Sequence, residues 1–168
     1  MTNSTLHIAK AAKKDEFYTQ YKDIEKEVKN YVAYNPNVFE GKTILLPCDD
    51  PEWSNFTKYF ADNFTKFGIK KLISTSYAYS LSNREISMFE RKSPFFSEEK
   101  HRKCGKVFVI DSDKDNSGTI DFNDIRFNYL HGDGDFRSEE VTKLRDEADI
   151  IITNPPFSLF REFFKWII

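Results

Sequence analysis

Cysteine is scarce in this 168-residue chain. Cys48 and Cys104 are far apart, with no C-x-x-C and no neighbouring histidines, so neither a disulfide framework nor a zinc site is indicated and a reducing, cytoplasmic setting is expected. No apolar run approaches the roughly 20 residues that cross a bilayer, and no signal peptide is visible, so no membrane partner is expected. An excess of one charge is lacking too: 25 basic against 27 acidic residues give a net charge of −2, which argues against a surface that is a polyanion footprint throughout. A local basic patch would still suffice for nucleic acid. Internal repeats and low-complexity tracts are absent, which excludes solenoids and linkers.

What remains is an ordinary globular composition, 39% hydrophobic and 31% charged, in a chain long enough for one core and short for two. Residues 1–14 read as a loose polar arm, and residues 15–168 as one domain. A helical stripe of Ile24, Val28 and Tyr31 spans Tyr21 to Tyr34 and stops at Asn35-Pro36. Thr43 to Leu46 is a short buried strand. Asp50 and Pro51 fit an N-cap and first helical position for a helix reaching Phe67, closed by Gly68. Ile69 to Ala78 is a second strand, so strand, helix and strand make a βαβ unit with a parallel sheet. The pattern then fails over residues 79–106, an irregular excursion. Further strands are expected at Val107–Ile110 and Ile125–Leu130, and a helix capped by Ser138 runs to about Asp146.

Ala148 to Thr153 is a β-branched run that feeds Asn154-Pro155-Pro156-Phe157. The prolines must end the strand, because neither donates to a ladder and the first excludes helix at Asn154. Asn154 is thereby presented at the carboxyl end of a strand, the edge of an open α/β sheet where ligands bind. An exocyclic amine of a nucleobase is a poor nucleophile whose lone pair is drawn into the ring. The Asn154 side chain and the Pro155 carbonyl offer two acceptors that would bias that lone pair outward, and Phe157 offers a face for an extruded base. An Asn-Pro turn with Phe157 as packing accounts for the same four residues.

Two other stretches could bind ions. Asp113, Asp115, Ser117 and Thr119, with Gly118, Ile120, Asp121 and Asp124, follow the spacing of an EF-hand calcium loop. An acidic turn between two strands is the alternative, favoured by the shorter Asp124 at the last position and by the strand rather than helix that precedes Asp113. Any ion there is expected to be structural calcium. Lys100-His101-Arg102-Lys103 with Lys106 is the best local candidate for a phosphate contact, or else a solvated charged loop.

Four stretches in order resemble the EcoRI-type adenine-N6 DNA methyltransferases. They are Asp15-Glu16-Phe17-Tyr18-Thr19-Gln20, Cys48-Asp49-Asp50-Pro51 with Ser54-Asn55-Phe56 and Lys58-Tyr59-Phe60, Gly132 through Ser138, and Ala148-Asp149 through Glu162. The resemblance implies a Rossmann-like fold dependent on S-adenosylmethionine, with no catalytic metal, acting in restriction-modification on a flipped adenine of double-stranded DNA. It implies that Asn154, Pro155, Pro156 and Phe157 are catalytic. By the same resemblance Phe17, Tyr18 and Thr19 lie along the methionine part of the cofactor, Cys48, Asp49 and Asp50 hold its amino acid group or ribose, and Asp135 and Phe136 lie beside its adenine. Two departures stand out: the first loop lacks the glycine-rich F-x-G-x-G form, and Ser74-Thr75-Ser76 at the end of the second strand carries no acid for the ribose hydroxyls. The family continues with more strands and a DNA-recognition region. The chain is therefore expected to be a partial catalytic domain whose sheet is incomplete at the C-terminal end, weak on DNA, with little activity alone and able to self-associate through an open sheet edge. A calcium- or nucleic-acid-binding α/β module without catalysis, or an inactive fragment acting through protein contacts, is the alternative.

Overall fold

The computed structural model describes residues 19–52, 54–78, 86, 88–155 and 157–168. Its first element is α1 (Tyr21–Tyr34), where Ile24 and Val28 are buried one turn apart. Tyr31 is exposed, because the i, i+4 row continues through Val32 instead. The Asn35 N–H bonds the Tyr31 carbonyl at 2.8 Å, and Pro36 follows. In β1 (Thr43–Leu46) all four residues are buried.

The helix expected from Pro51 to about Phe67 forms as two pieces, α2 (Asn55–Asp62) and a single turn, α3 (Phe64–Phe67). Asp50 Oδ1 accepts from the Glu52 N–H at 3.0 Å and closes a turn over Pro51, so the cap falls to Ser54, whose Oγ accepts from the Phe56 N–H at 3.2 Å. At Asn63 the side-chain amide donates to the Tyr59 carbonyl at 2.9 Å and the helix breaks. Gly68 closes α3 in the left-handed region at φ 64°.

β2 (Lys71–Ser76) pairs parallel with β1, Thr43 opposite Lys71, completing the βαβ unit. The other α-helices and strands among the described residues are α4 (Met88–Lys92), α5 (Glu98–Lys103), β3 (Lys106–Ile110), β4 (Arg126–Tyr129), α6 (Glu139–Glu147), β5 (Ile150–Ile151) and α7 (Phe160–Ile167). The sheet is mixed and five-stranded, in the order β4-β3-β2-β1-β5. Only β2, β1 and β5 are mutually parallel, whereas β3 is antiparallel to β2 and β4 to β3. The cause is topological. The 79–106 stretch leaves and re-enters at the same end of the sheet, with Lys106 opposite Ser76, so β3 has to run back along β2.

Side-chain alternation along β1 divides the interior. Ile44 and Leu46 face a core built with α1, α2 and α3 (Ile24, Val28, Tyr59, Phe60, Phe67), while Leu45 faces a second one with Phe136, Val141, Phe163 and Trp166. The protein is thus a sheet with helices on both faces. Phe163 and Trp166 are buried against Phe136 with ring centroids 5.0 and 5.5 Å away. Spaced i, i+3, they share the inward face of α7, which leaves Phe160, Phe164, Ile167 and Ile168 exposed.

Within the 79–106 stretch, a buried polar quartet fastens α4 and α5 to the sheet. Glu90 accepts from Lys106 Nζ at 2.6 Å and from the Tyr129 hydroxyl at 2.8 Å, and meets His101 Nδ1 at 2.7 Å. Glu90 and Lys106 are each 1% exposed. Burial alone would raise the Glu90 pKa, but its hydrogen bonds to Lys106, His101 and Tyr129 outweigh that and hold it below the usual glutamate range. The supposed basic patch is therefore dispersed. His101 and Lys106 turn inward, and Arg102 and Lys103 pair with Glu98 and Glu99 at 3.2 and 3.0 Å.

Candidate active site

After β1 the chain builds β2, β3 and β4 on one side and then returns to place β5 on the other. Loops leaving the carboxyl ends of β1 and β5 therefore start where the strand order reverses, the place at which open α/β sheets bind ligands. Both sequence-predicted loops start there: Cys48-Asp49-Asp50 after β1, and Asn154-Pro155 after β5. Leu45 pairs with Ile151, the Ile152 N–H reaches the Leu45 carbonyl at 3.0 Å, and the Thr153 hydroxyl donates to the Pro47 carbonyl at 2.7 Å. The β-run expected over 148–153 keeps only Ile150 and Ile151 in the ladder, half-buried, because β5 has β1 as its sole strand neighbour among the described residues. Asn154 and Pro155 are half-buried, and Phe157 is 60% exposed at the start of a 3-10 turn leading to α7. Pro156, Phe17 and Tyr18 lie outside the described residues.

The β1 loop is held firmly. Cys48 sits in the left-handed region at φ 61°, a conformation that costs a non-glycine residue roughly 1–2 kcal/mol. Asp49 is buried, and its Oδ2 accepts from both the Thr57 N–H, at 3.1 Å, and the Thr57 hydroxyl. Its carbonyl accepts from the Ser74 hydroxyl, and its N–H donates to the Thr75 carbonyl at 2.7 Å. Asp49 thus joins β1, α2 and β2, while the Asp50 carboxylate caps the adjacent turn. Thr19 reaches the same corner, its carbonyl accepting from Asn55 Nδ2 at 2.9 Å, so the C-terminal end of the N-terminal motif lies beside the start of α2.

The third wall comes from the glycine-flanked loop at 132–136. Its backbone lies against the end of β2: the Ala78 N–H bonds the Asp133 carbonyl at 2.7 Å, and the Gly105 N–H the Gly132 carbonyl at 2.9 Å. Gly134, at φ 82°, leaves no room for a side chain, since a Cβ there would be 2.3 Å from the Ser76 carbonyl oxygen. Asp135 is bound to Arg137 through Nη2 at 2.6 Å and Nε at 2.9 Å, and the Arg137 hydrogen bond lowers its pKa. Phe136 lies in the second core.

The EF-hand-like loop connects β3 to β4 and sits at the opposite end of the sheet, since β3 ends with Ile110 beside Leu72, near the start of β2. Oxygens of Asp113, Asp115 and Asp124 converge within 4.8 Å of one another. Backbone amides already serve them: Asp124, buried, accepts from the Lys114, Asp115 and Asp121 N–H groups, and Asp113 from those of Ser117 and Gly118. Ser117 Oγ donates to the Thr119 carbonyl at 2.9 Å. Burial would raise the Asp124 pKa, but the three amides outweigh it and hold it low.

A family model described as "Adenine-specific methyltransferase EcoRI" matches residues 5–168. The chain belongs to that family. It is 45% identical over 168 residues to the type II methyltransferase M.EcoRI of Escherichia coli, covering 99% of this chain and 46% of that protein. M.MpnI of Mycoplasma pneumoniae is 33% identical over 155 residues, covering 92% of this chain and 37% of its own, and M.MgeORF184P of Mycoplasma genitalium is 34% identical over 160 residues, covering 95% and 39%. Both are also named type II methyltransferases. The chain spans less than half the length of these relatives. No solved structure matches it. Among its described residues no helix is long and apolar enough to cross a membrane. The described parts of the motifs legible in the sequence, Thr19 and Gln20, the Cys48–Asp50 loop, Gly132 through Ser138, and Asn154 with Pro155, stand near the carboxyl ends of β1, β2 and β5. Sequence reasoning missed Thr57 and Ser74, which tie Asp49 in place, and Tyr77 and Asp133 at the end of β2. Only the Gly132 and Gly134 flanks of Asp133 hinted at a close backbone approach.

Proposed function

We propose that this chain carries the cofactor- and adenine-amine-binding part of a site-specific DNA adenine-N6 methyltransferase of a restriction-modification system, on a Rossmann-like sheet. The observation that carries the reading is the meeting of the Cys48–Asp50 loop and Asn154-Pro155 at the carboxyl ends of the adjacent parallel strands β1 and β5. The family description and the relatives' names support it. The donor set suits S-adenosylmethionine: carboxylates for an ammonium group and for hydroxyls stand at the ends of β1 and β2, and the buried Ser76 hydroxyl at that edge has no hydrogen-bond partner among the described residues. When bound, that cofactor supplies a methyl on a sulfonium, already a good leaving group, so no metal is required.

The residues of the chain position and polarise. Asn154 Oδ1 and the Pro155 carbonyl accept the two N6 hydrogens of an adenine turned out of the duplex, and Phe157 stacks on its face. S-adenosylmethionine, held by the Cys48–Asp50 loop, would supply the methyl to N6 and leave as neutral S-adenosylhomocysteine, with the surplus N6 proton passing to solvent. Asn154→Ala should leave S-adenosylhomocysteine binding within about twofold by calorimetry and lower methyl transfer to adenine-containing duplex DNA by about 100-fold or more, as removal of a preorganised polar group does. No binding by the unaltered chain, or undiminished transfer by the variant, would overturn the reading.

A further inference from the structure

Folds of this kind hold a ribose through an acidic residue near the end of the second strand, because a carboxylate can accept from two neighbouring hydroxyls at once. Here β2 ends in Ser74-Thr75-Ser76, and Tyr77 follows. Long-range contact brings an acid to that place. Gly105 and Gly134 approach so closely that a Cβ on Gly105 would be 2.5 Å from the Gly134 Cα, and the Asp133 carbonyl takes the Ala78 N–H at 2.7 Å. The Tyr77 hydroxyl donates to the Asp133 side chain, and Asp133 Oδ1 accepts from the Asp135 N–H at 3.0 Å.

The other nearby acids have different work. Asp49 is buried on Thr57, Asp50 caps its turn and Asp135 is clasped by Arg137. Asp133 is exposed, and of the roughly four acceptor positions on a carboxylate two are engaged by Tyr77 and the Asp135 amide. At the same strand end Ser76 is 2% exposed, and its hydroxyl has no partner among the described residues. We propose that Asp133, held by Tyr77 and by the Gly105–Gly134 contact, is the carboxylate that binds the vicinal hydroxyls of the cofactor's ribose. This assignment rests on the methyltransferase reading above. It answers the missing acid at the end of β2 with a residue more than fifty positions further along the chain.

The test is calorimetric titration of the whole chain with S-adenosylhomocysteine and with its 2′-deoxyribose counterpart. The unaltered protein should prefer the ribose form by about tenfold or more, and Asp133→Ala should weaken its binding by about 10- to 100-fold, the loss expected for hydrogen bonds to a charged group. Binding of the deoxy form should fall less, so the preference collapses. Tyr77→Phe should reduce the preference by a few-fold. A merely structural Asp133 would weaken both ligands equally and leave the ratio intact, which would overturn the proposal while sparing the methyltransferase reading. Failure of the unaltered chain to bind either ligand would overturn both. If Asp133→Ala does not fold, Asp133→Asn keeps an acceptor for Tyr77 and the Asp135 amide while removing the charge, and the same ratio decides.

Discussion

Gly134→Ala tests how the end of β2 is built. A Cβ at Gly134 would lie 2.3 Å from the Ser76 carbonyl oxygen and 3.0 Å from the Gly105 Cα, both backbone atoms, so no rotamer change can relieve the contact. The residue also sits at φ 82°, where an L side chain costs about 1–2 kcal/mol. Forcing a methyl into filled space adds about 1–3 kcal/mol, for a total of roughly 2–5 kcal/mol. Gly118 supplies the control: its φ is 86°, yet nothing lies within 4 Å of the added Cβ, so Gly118→Ala should cost only the backbone share, about 1–2 kcal/mol. At about 2–4 °C per kcal/mol for a chain of this size, the Tm should fall by roughly 4–20 °C for Gly134→Ala and by roughly 2–8 °C for Gly118→Ala. Urea denaturation gives the free energies directly. Because displacing Gly134 also moves Asp133 away from Tyr77, cofactor affinity should fall in Gly134→Ala and stay unchanged in Gly118→Ala, whose loop is at the other end of the sheet. Equal destabilisation of the two variants would refute the close-approach argument.

Glu90→Gln should destabilise by about 3–5 kcal/mol in urea at neutral pH, because it leaves the buried Lys106 ammonium without its counter-charge. Since Glu90 ionises more readily folded than unfolded, its contribution is complete above the ordinary glutamate value of 4.5 and is lost as pH falls through the lowered folded value, so the variant should show a flatter loss of stability in acid. Asp124→Ala should cost about 1–3 kcal/mol by thermal melting, since it takes the acceptor from the part-buried amide bonds of Lys114, Asp115 and Asp121; a cost below about 0.5 kcal/mol would show that the loop is not organised by that carboxylate.

Features written in neighbouring residues were legible without coordinates. The Tyr21–Tyr34 helix, the Gly68 cap, the Ser138 cap and the βαβ unit all follow from short-range signals, and each formed where it was expected. The placement of Asn154 past a strand end followed likewise from two prolines. Competition between equally plausible local partners was harder to judge. Asp50 followed by Pro51 reads as a helix cap, and only the turn over Pro51 gives the role to Ser54 instead. The apolar residues of α7 look alike in the sequence until Phe136 claims Phe163 and Trp166.

By itself the sequence determined the family, the Tyr21–Tyr34 helix, the βαβ unit and the position of Asn154 past the end of a strand, because these depend on residue order and local stereochemistry. The tertiary structure alone decided that β3 runs antiparallel, that the basic residues around His101 fold inward onto Glu90, and that Asp133 reaches the end of β2. Those outcomes depend on contacts between residues tens of positions apart, whose partners are chosen by chain crossover and by packing of the two cores. No local pattern encodes that choice.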